Sequence, residues 1–208
     1  MSKISIGPGC VLSPIPAVMV SLSNKGEDNI ITIAWTGIIN SQPPMTYISV
    51  KPERHSYEML KESKEFVINL VSEDLVFAMD HCGVVSGDKE NKFKEMHLTK
   101  QPADHVSCPM IAEAPVNIEC KVKDIIHLGS HDMFLAEILE VHVDENMQDE
   151  KGRIAFEKAG LVAYAHGEYL GLKTRPLGTF GYSIMKKKTA KKRRANGKAI
   201  GTKKPHWK

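Results

Sequence analysis

The chain has little cysteine and no cysteine pair. Its four cysteines, Cys10, Cys82, Cys108 and Cys120, are scattered over 208 residues, with no CxxC spacing. That excludes a disulfide framework and a cysteine-rich zinc site, and a reducing cytoplasm is expected. No apolar run approaches the ~18 residues of a membrane span. The first residues lack a basic, then apolar, then small-residue leader, so a cytoplasmic protein is the expectation. No GxGxxG follows a strand and no GxxxxGK[ST] occurs, which disfavours Rossmann-type dinucleotide binding and P-loop chemistry. GxSxG is missing, so a serine-hydrolase elbow is not supported. None of the nine histidines sits in HExxH or another metal spacing, and no metal is expected.

Charge is unevenly spread. Residues 186 to 208 hold 11 of the 28 Lys and Arg and none of the 25 Asp and Glu. Subtraction leaves 17 basic and 25 acidic residues in 1 to 185, a net of −8 beneath an overall +3. The expectation is one domain over 1 to 185 with a basic, flexible tail at 186 to 208. The tail admits three readings: a nucleic-acid contact through phosphate neutralisation, docking on the acidic body, or an appendage without function.

Residues 17 to 23 and 30 to 35 are β-branched and apolar, and NKGEDN between them predicts a hairpin. Residues 46 to 50 read as a third strand, entered through Pro43-Pro44 after a polar turn. A short helix is expected over 57 to 63, with Ser56 as its N-cap and Glu58 in its first turn. Residues 66 to 70 predict a strand and 73 to 82 a helix ended by Gly83. A short helix should follow within 84 to 96, then a loop over 100 to 110. Residues 116 to 127 alternate apolar and polar over most of their length. Residues 132 to 143 could be helix by composition, but two such runs joined by LGSH fit a long hairpin turning at Gly129-Ser130 better. Residues 161 to 169 supply a last strand or turn. Many short strands with small inserted helices predict an antiparallel barrel rather than a βαβ sheet.

The chemistry concentrates in NIITIAWTGIINSQPPMTYISVKPERHS, residues 29 to 56. Arg54 offers a forked cation that suits phosphate. Ser56 adds a hydroxyl, and the first helical turn adds free N–H groups at the positive end of its dipole. The other reading of this turn is a solvated bend with a good cap. Trp35 followed by Thr36-Gly37 could wall a flat ring, with Gly37 admitting close backbone approach. Spacing alone favours the other reading, a core tryptophan beside a bulge at Gly37. SGDKENKF (86 to 93) ends in Lys92-Phe93, a cation and an aromatic, within a loop that is otherwise simply polar. His131 in GSHD and His166 in YAHGEY stand out among the histidines. His81 and Cys82 are neighbours whose side chains point apart on a helix.

These segments, with DHCGVVSGDKENKF, PVNIECKV, LGSHDMFLAEI and GLVAYAHGEYLGL followed by LGTFGYS, resemble the flavoredoxin-like branch of the flavin reductase family over residues 8 to 183. The resemblance implies a mainly β, Greek-key FMN-binding split β-barrel with short helices. It implies a homodimer with FMN at its interface. Trp35, Thr36 and Gly37 would lie by the ring, with Asn40 and Ser41 near the ring or ribityl chain. Arg54 and Ser56, helped by Lys92, would hold the phosphate. Ser49 and Val50 would line the pocket; Cys82, Ser86 and Phe93 are looser carry-overs. His131 is implied at the nicotinamide site. His55 stands where relatives commonly carry tyrosine, beside the phosphate. The expected function is an NADH- or NADPH-dependent flavin reductase, passing electrons to free flavin, a redox protein or oxygen. The alternatives are a flavoredoxin-type FMN carrier and a barrel without flavin that acts as a binding module.

Overall fold

The structure is a computed structural model; it describes residues 2–150, 152–173 and 176–195. Residues 1–172 form one compact unit and 173–208 a second.

The strands of the first unit are β1 (Ile15–Pro16), β2 (Val18–Asn24), β3 (Glu27–Ile33), β4 (Thr36–Ser41), β5 (Pro44–Val50), β6 (Glu65–Leu70), β7 (Lys100–Gln101), β8 (Met110–Ile111), β9 (Val116–His127), β10 (Asp132–Val143), β11 (Val162–Ala165) and β12 (Glu168–Gly171). Helices α1 (His55–Ser63), α2 (Val76–Val84) and α3 (Lys92–Glu95) connect them. Seven strands form one antiparallel sheet in the order β3-β2-β6-β9-β10-β5-β4. Its two end strands are consecutive in the chain, separated by Ala34 and Trp35 alone. The sheet must therefore curl until its ends meet. Ser49 N–H donates to the Trp35 carbonyl at 3.0 Å, which carries the β4–β5 ladder one residue into that junction. This is the split β-barrel expected from the resemblance. Bulges at Lys123 and Leu139 in the β9–β10 ribbon supply extra coil. β11 joins β1 and β12 in a separate three-stranded sheet, and β7 pairs with β8.

Strand alternation sets the core. Val18, Val20 and Leu22 of β2 point into the barrel, where they meet Ile48, Phe66, Ile68 and Phe134. Helix α1 packs against the same core. Tyr57 and Leu60 are buried there, with the Tyr57 ring edge-on to Phe134 at 5.6 Å. Each such side chain is worth about 2 kcal/mol on burial. Ala17 and Met19, on the other face of β2, join Ile30, Met79 and Phe93 in a second core beneath α2 and α3. The central strands are thus buried on both faces.

Three local expectations are corrected. Residues 36 to 41 are a strand rather than a polar turn. They pair with β5 at the sheet edge, where little is buried and alternation leaves no trace in the sequence. Helix α1 begins at His55 with Arg54 as its N-cap, so Ser56 is an internal, buried residue rather than the cap. Gly83 lies inside α2 rather than after it. A Cβ there would stand 3.1 Å from Thr32 Cβ, so the glycine serves close helix-to-strand approach.

In the second unit, Lys187–Ala195 forms helix α4 where the tail was expected to be irregular. Lys, Arg and Ala are strong helix formers, which offsets the charge repulsion. Residues 196 to 208 of the expected tail lie outside the described residues. Among the described residues no helix is long and apolar enough to cross a membrane.

Candidate functional site

A cleft of about 320 Å³ opens where β3 passes into β4. The backbone from Ile31 to Trp35 forms its floor. The end of β5 and the following turn supply Ser49, Val50, Lys51 and Arg54. The β9–β10 hairpin tip supplies His131. Across from these stand α2 and the three-stranded sheet, with Asp80, Gly83, Tyr164 and Tyr169. Five of the expected residues meet here: Trp35, Ser49, Val50, Arg54 and His131.

Trp35 is 40% exposed and its ring lies 4.3 Å from the His131 imidazole, tilted by 42°. His131 Nδ1 also meets Ser130 Oγ at 3.0 Å. Burial lowers the His131 pKa below the usual histidine value, and Lys51 and Arg54 push it the same way. The imidazole is neutral at pH 7. Thr36 and Gly37 begin β4 just past Trp35. Thr36 Oγ1 donates to the Tyr47 carbonyl at 2.6 Å, and Gly37 carbonyl accepts from Thr46 Oγ1 at 2.9 Å. Asn40 and Ser41 lie at the far end of β4, outside the cleft lining. Asn40 Nδ2 donates to the Pro43 carbonyl at 2.9 Å, closing the β4–β5 turn.

The remaining expected residues form a second, mostly buried cluster behind Arg54. Lys92 is only 4% exposed. Its ammonium donates to the Ile30 carbonyl at 2.7 Å and the Cys82 carbonyl at 2.8 Å, which leaves a third proton for another acceptor. Burial lowers the Lys92 pKa, and the Arg54 charge adds to that. Ser56 is buried and accepts from Asn29 Nδ2 at 3.0 Å. Cys82 contributes its carbonyl; burial pushes its thiol up to about 11, so it is no thiolate at pH 7. Ser86 donates to Asp88 and lowers that carboxyl's pKa. His55 Nε2 meets Glu27 Oε1 at 2.8 Å, on the outer side of the turn. Phe93 is buried in the second core, with Lys100 Nζ 5.0 Å above its ring.

Arg54 links the two clusters. Its guanidinium enters no hydrogen bond or salt bridge among the described residues, although it caps α1. A free Arg fork, a nine-residue helix N-terminus and a buried ammonium with a spare proton fit a phosphate group. The adjoining cleft, with one aromatic wall and strand backbone as its floor, fits a planar ring. FMN has both parts, and the residues present suit it.

Several contributors escaped the sequence. Asn29 reads as a strand residue, yet it orients Ser56. Gly87 packs directly on it: a Cβ there would fall 2.3 Å from Asn29 Oδ1. Lys51, Asp80 and the Tyr164–Tyr169 pair come from three separate segments. Tyr169 OH donates to Asp80 Oδ1 at 2.7 Å, and its ring lies 5.7 Å from Tyr164. A polar residue at the head of a β-branched run is the one signal that could have marked Asn29.

Away from the cleft, Asp104, Glu119 and His142 bring potential ligand atoms within 4.8 Å of one another, which spacing could not reveal. Buried Glu119 already accepts from Asp104 N–H at 2.8 Å, His105 N–H at 2.6 Å and His142 Nε2 at 2.6 Å. These bonds pin the 104–105 segment to β9 and account for the grouping.

Fold and cleft together define a split-barrel protein of the flavin-binding class. The chain belongs to the flavin reductase like domain family, whose model matches residues 12–173. It is 31% identical to flavoredoxin of Desulfovibrio vulgaris (Miyazaki F), with a TM-score of 0.81 over 86% of this chain and 98% of that one. Flavoredoxin from Methanosarcina acetivorans superposes with a TM-score of 0.79 at 24% identity, over 89% of this chain and 100% of that one, a likeness of fold. An uncharacterized protein of Archaeoglobus fulgidus is 28% identical over 146 residues, 70% of this chain and 82% of its own.

Proposed function

We propose that the cleft binds FMN and that the protein is an NADH- or NADPH-dependent flavin reductase. The convergence of Trp35, Ser49, Val50, Arg54 and His131 on one cleft, beside the buried Lys92 ammonium, carries this reading. Arg54, Ser56, Lys92 and the first turn of α1 hold the phosphate. Trp35, Thr36 and Gly37, with Ser49 and Val50, orient the ring by contact and by backbone N–H and C=O groups. His131 stays neutral beside Trp35, so it can exchange hydrogen bonds with a nicotinamide carboxamide without placing a cation against that ring. When bound, FMN supplies the hydride-accepting and electron-passing chemistry, while the chain supplies binding, orientation and field.

A homodimer belongs to this proposal. Ile38 and Ile39 on β4, and Phe77 and Val84 on α2, are exposed apolar side chains, and Trp35 and Val84 both line the cleft. A second copy covering them would enclose the ring. Three of the four cysteines are buried free thiols, which suits the proposed cytoplasmic location.

The test is spectral. Purified protein should carry, or take up, a chromophore absorbing near ~450 nm, since flavin is the redox group. Anaerobic NADH or NADPH should bleach it within a turnover. Protein that stays colourless in excess FMN ends the proposal. A second reading, an FMN electron carrier, is favoured by the 31% identity with a flavoredoxin. It predicts colour that reduced nicotinamide leaves unchanged and that a reduced redox protein bleaches.

A further inference from the structure

We infer that Tyr57 and Asp132 form a tie that positions His131 against Trp35, locking the anion-binding turn to the hairpin tip across the cleft.

Residues 128 to 131 form the β9–β10 turn, closed by a bond from Leu128 N–H to the His131 carbonyl at 3.2 Å. Gly129 sits at φ +99°, a conformation that glycine adopts without strain. Within so small a turn only Ser130 Oγ, 3.0 Å from His131 Nδ1, touches its last side chain. Asp132, the next residue, ties the turn to α1. Its carboxylate is 4% exposed and is paired across the ribbon with His127. Asp132 Oδ2 accepts from Tyr57 OH and meets His127 Nδ1 at 2.7 Å. Tyr57 is the third residue of α1, three positions after Arg54, and its ring is fixed by Phe134. One carboxylate oxygen therefore joins the helix that follows the Arg54 cap to both strands that carry the turn. The bond, with burial, pushes the Tyr57 phenol up to about 12, and with His127 it holds the Asp132 carboxyl below its ordinary value.

The consequence falls on His131. Its tilt on Trp35 depends on a hairpin tip that the β5–β10 ladder brings beside Val50 and that this bond ties to α1. Tyr57 and Asp132 are positioning residues, since neither lines the cleft. The groups that act on the His131 charge are Lys51, Glu53 and Arg54 of the facing turn. Moving the tip changes its distance from all three. The kinetic consequence rests on the flavin reductase reading; the geometric one does not.

Two measurements test the tie. The chain has two tryptophans, Trp35 and Trp207, so Trp207→Phe leaves Trp35 as the sole indole. A protonated imidazole in contact quenches indole emission, so Trp35 emission should rise with pH as His131 loses its proton. The His131 part of that step is defined by its loss in His131→Gln. In flavin-free protein, Tyr57→Phe and Asp132→Asn should shrink the step or move its midpoint by about half a unit or more toward the ordinary histidine value. Tyr57→Phe keeps the buried ring, so it tests the bond even where Asp132→Asn fails to fold. Unchanged midpoint and amplitude in Tyr57→Phe overturn the inference. In the second measurement, Tyr57→Phe should lower kcat/KM for NADH or NADPH about tenfold, mainly through KM, with FMN affinity within about threefold of the parent. A loss confined to FMN affinity, or equal losses in kcat and stability alone, points to a merely structural pair and overturns it. Failure to bind FMN would sink the reductase reading and leave the emission result standing.

Discussion

Lys92 is the residue on which the proposed phosphate site turns. Replacing it with methionine keeps the stem and removes the charge. Lost charge-assisted bonding of about 2 kcal/mol should weaken FMN binding some tenfold to thirtyfold, by titration of the flavin absorbance. The pH dependence has a definite sign. Burial lowers the folded-state pKa below the ordinary 10.5, so the unfolded chain holds this proton more tightly. Apo stability from this group therefore rises with pH between the lowered value and 10.5. FMN affinity should move the opposite way and fall as Lys92 deprotonates; Lys92→Met should flatten that fall. Gly87 gives a second test at this scale. Gly87→Ala puts a methyl 2.3 Å from Asn29 Oδ1, so the 86–88 loop or Asn29 must shift. The expected cost is about 1–3 kcal/mol in urea unfolding, with weaker FMN binding, since Asn29 orients Ser56. Arg54, Trp35 and His131 were legible in the sequence because each sits in a short motif of unusual chemistry. Asn29, Lys51, Asp80 and Tyr169 were not. Each is ordinary in its own segment, and only the closed sheet brings them together.

Among the elements, the β2–β3 hairpin offers a clean prediction. Lys25 and Gly26 form a two-residue turn with φ of 51° and 86°, both in the left-handed region. Such turns favour Asn-Gly. Lys25→Asn should stabilise by about 0.5 kcal/mol in urea unfolding. The Lys25–Glu62 ion pair that it removes is exposed and contributes little. The β9–β10 ribbon could be read in the sequence almost to the residue, because β9 alternates in sequence over most of its length and a Gly-Ser turn joins two runs of equal length. β4 was illegible for the converse reason. It is an edge strand with most of its residues exposed, so burial selects no pattern there. The start of α1 was misjudged because a serine beside an apolar run looks like a cap. Here it is buried to serve Asn29, and Arg54 caps with its backbone alone.

For the whole molecule, two outcomes follow. The proposed dimer should be seen by light scattering on a sizing column, and Val84→Glu with Ile38→Glu should shift it to monomer, with FMN affinity falling by about tenfold or more as one wall of the site is lost. Deleting residues 186 to 208 changes the formal charge from +3 to −8, since eleven cations leave with no acid. If the tail contacts nucleic-acid phosphates, retention on immobilised RNA should vanish with it and should weaken steeply with salt in the intact chain. Equal retention of both forms removes that role. The overall architecture was more accessible than the cleft. The long, buried strands follow from local pattern, whereas the meeting of the sheet's ends is a property of the complete chain order.

That meeting has one more consequence. Ala34 and Trp35 are at once the seam of the barrel and part of the lining of the proposed flavin site. A molecule seated there acts as a rivet, and amide exchange along β3, β4 and the start of β5 should slow on loading before it slows elsewhere. Durability and affinity share the same two residues, so selection cannot adjust one while leaving the other alone.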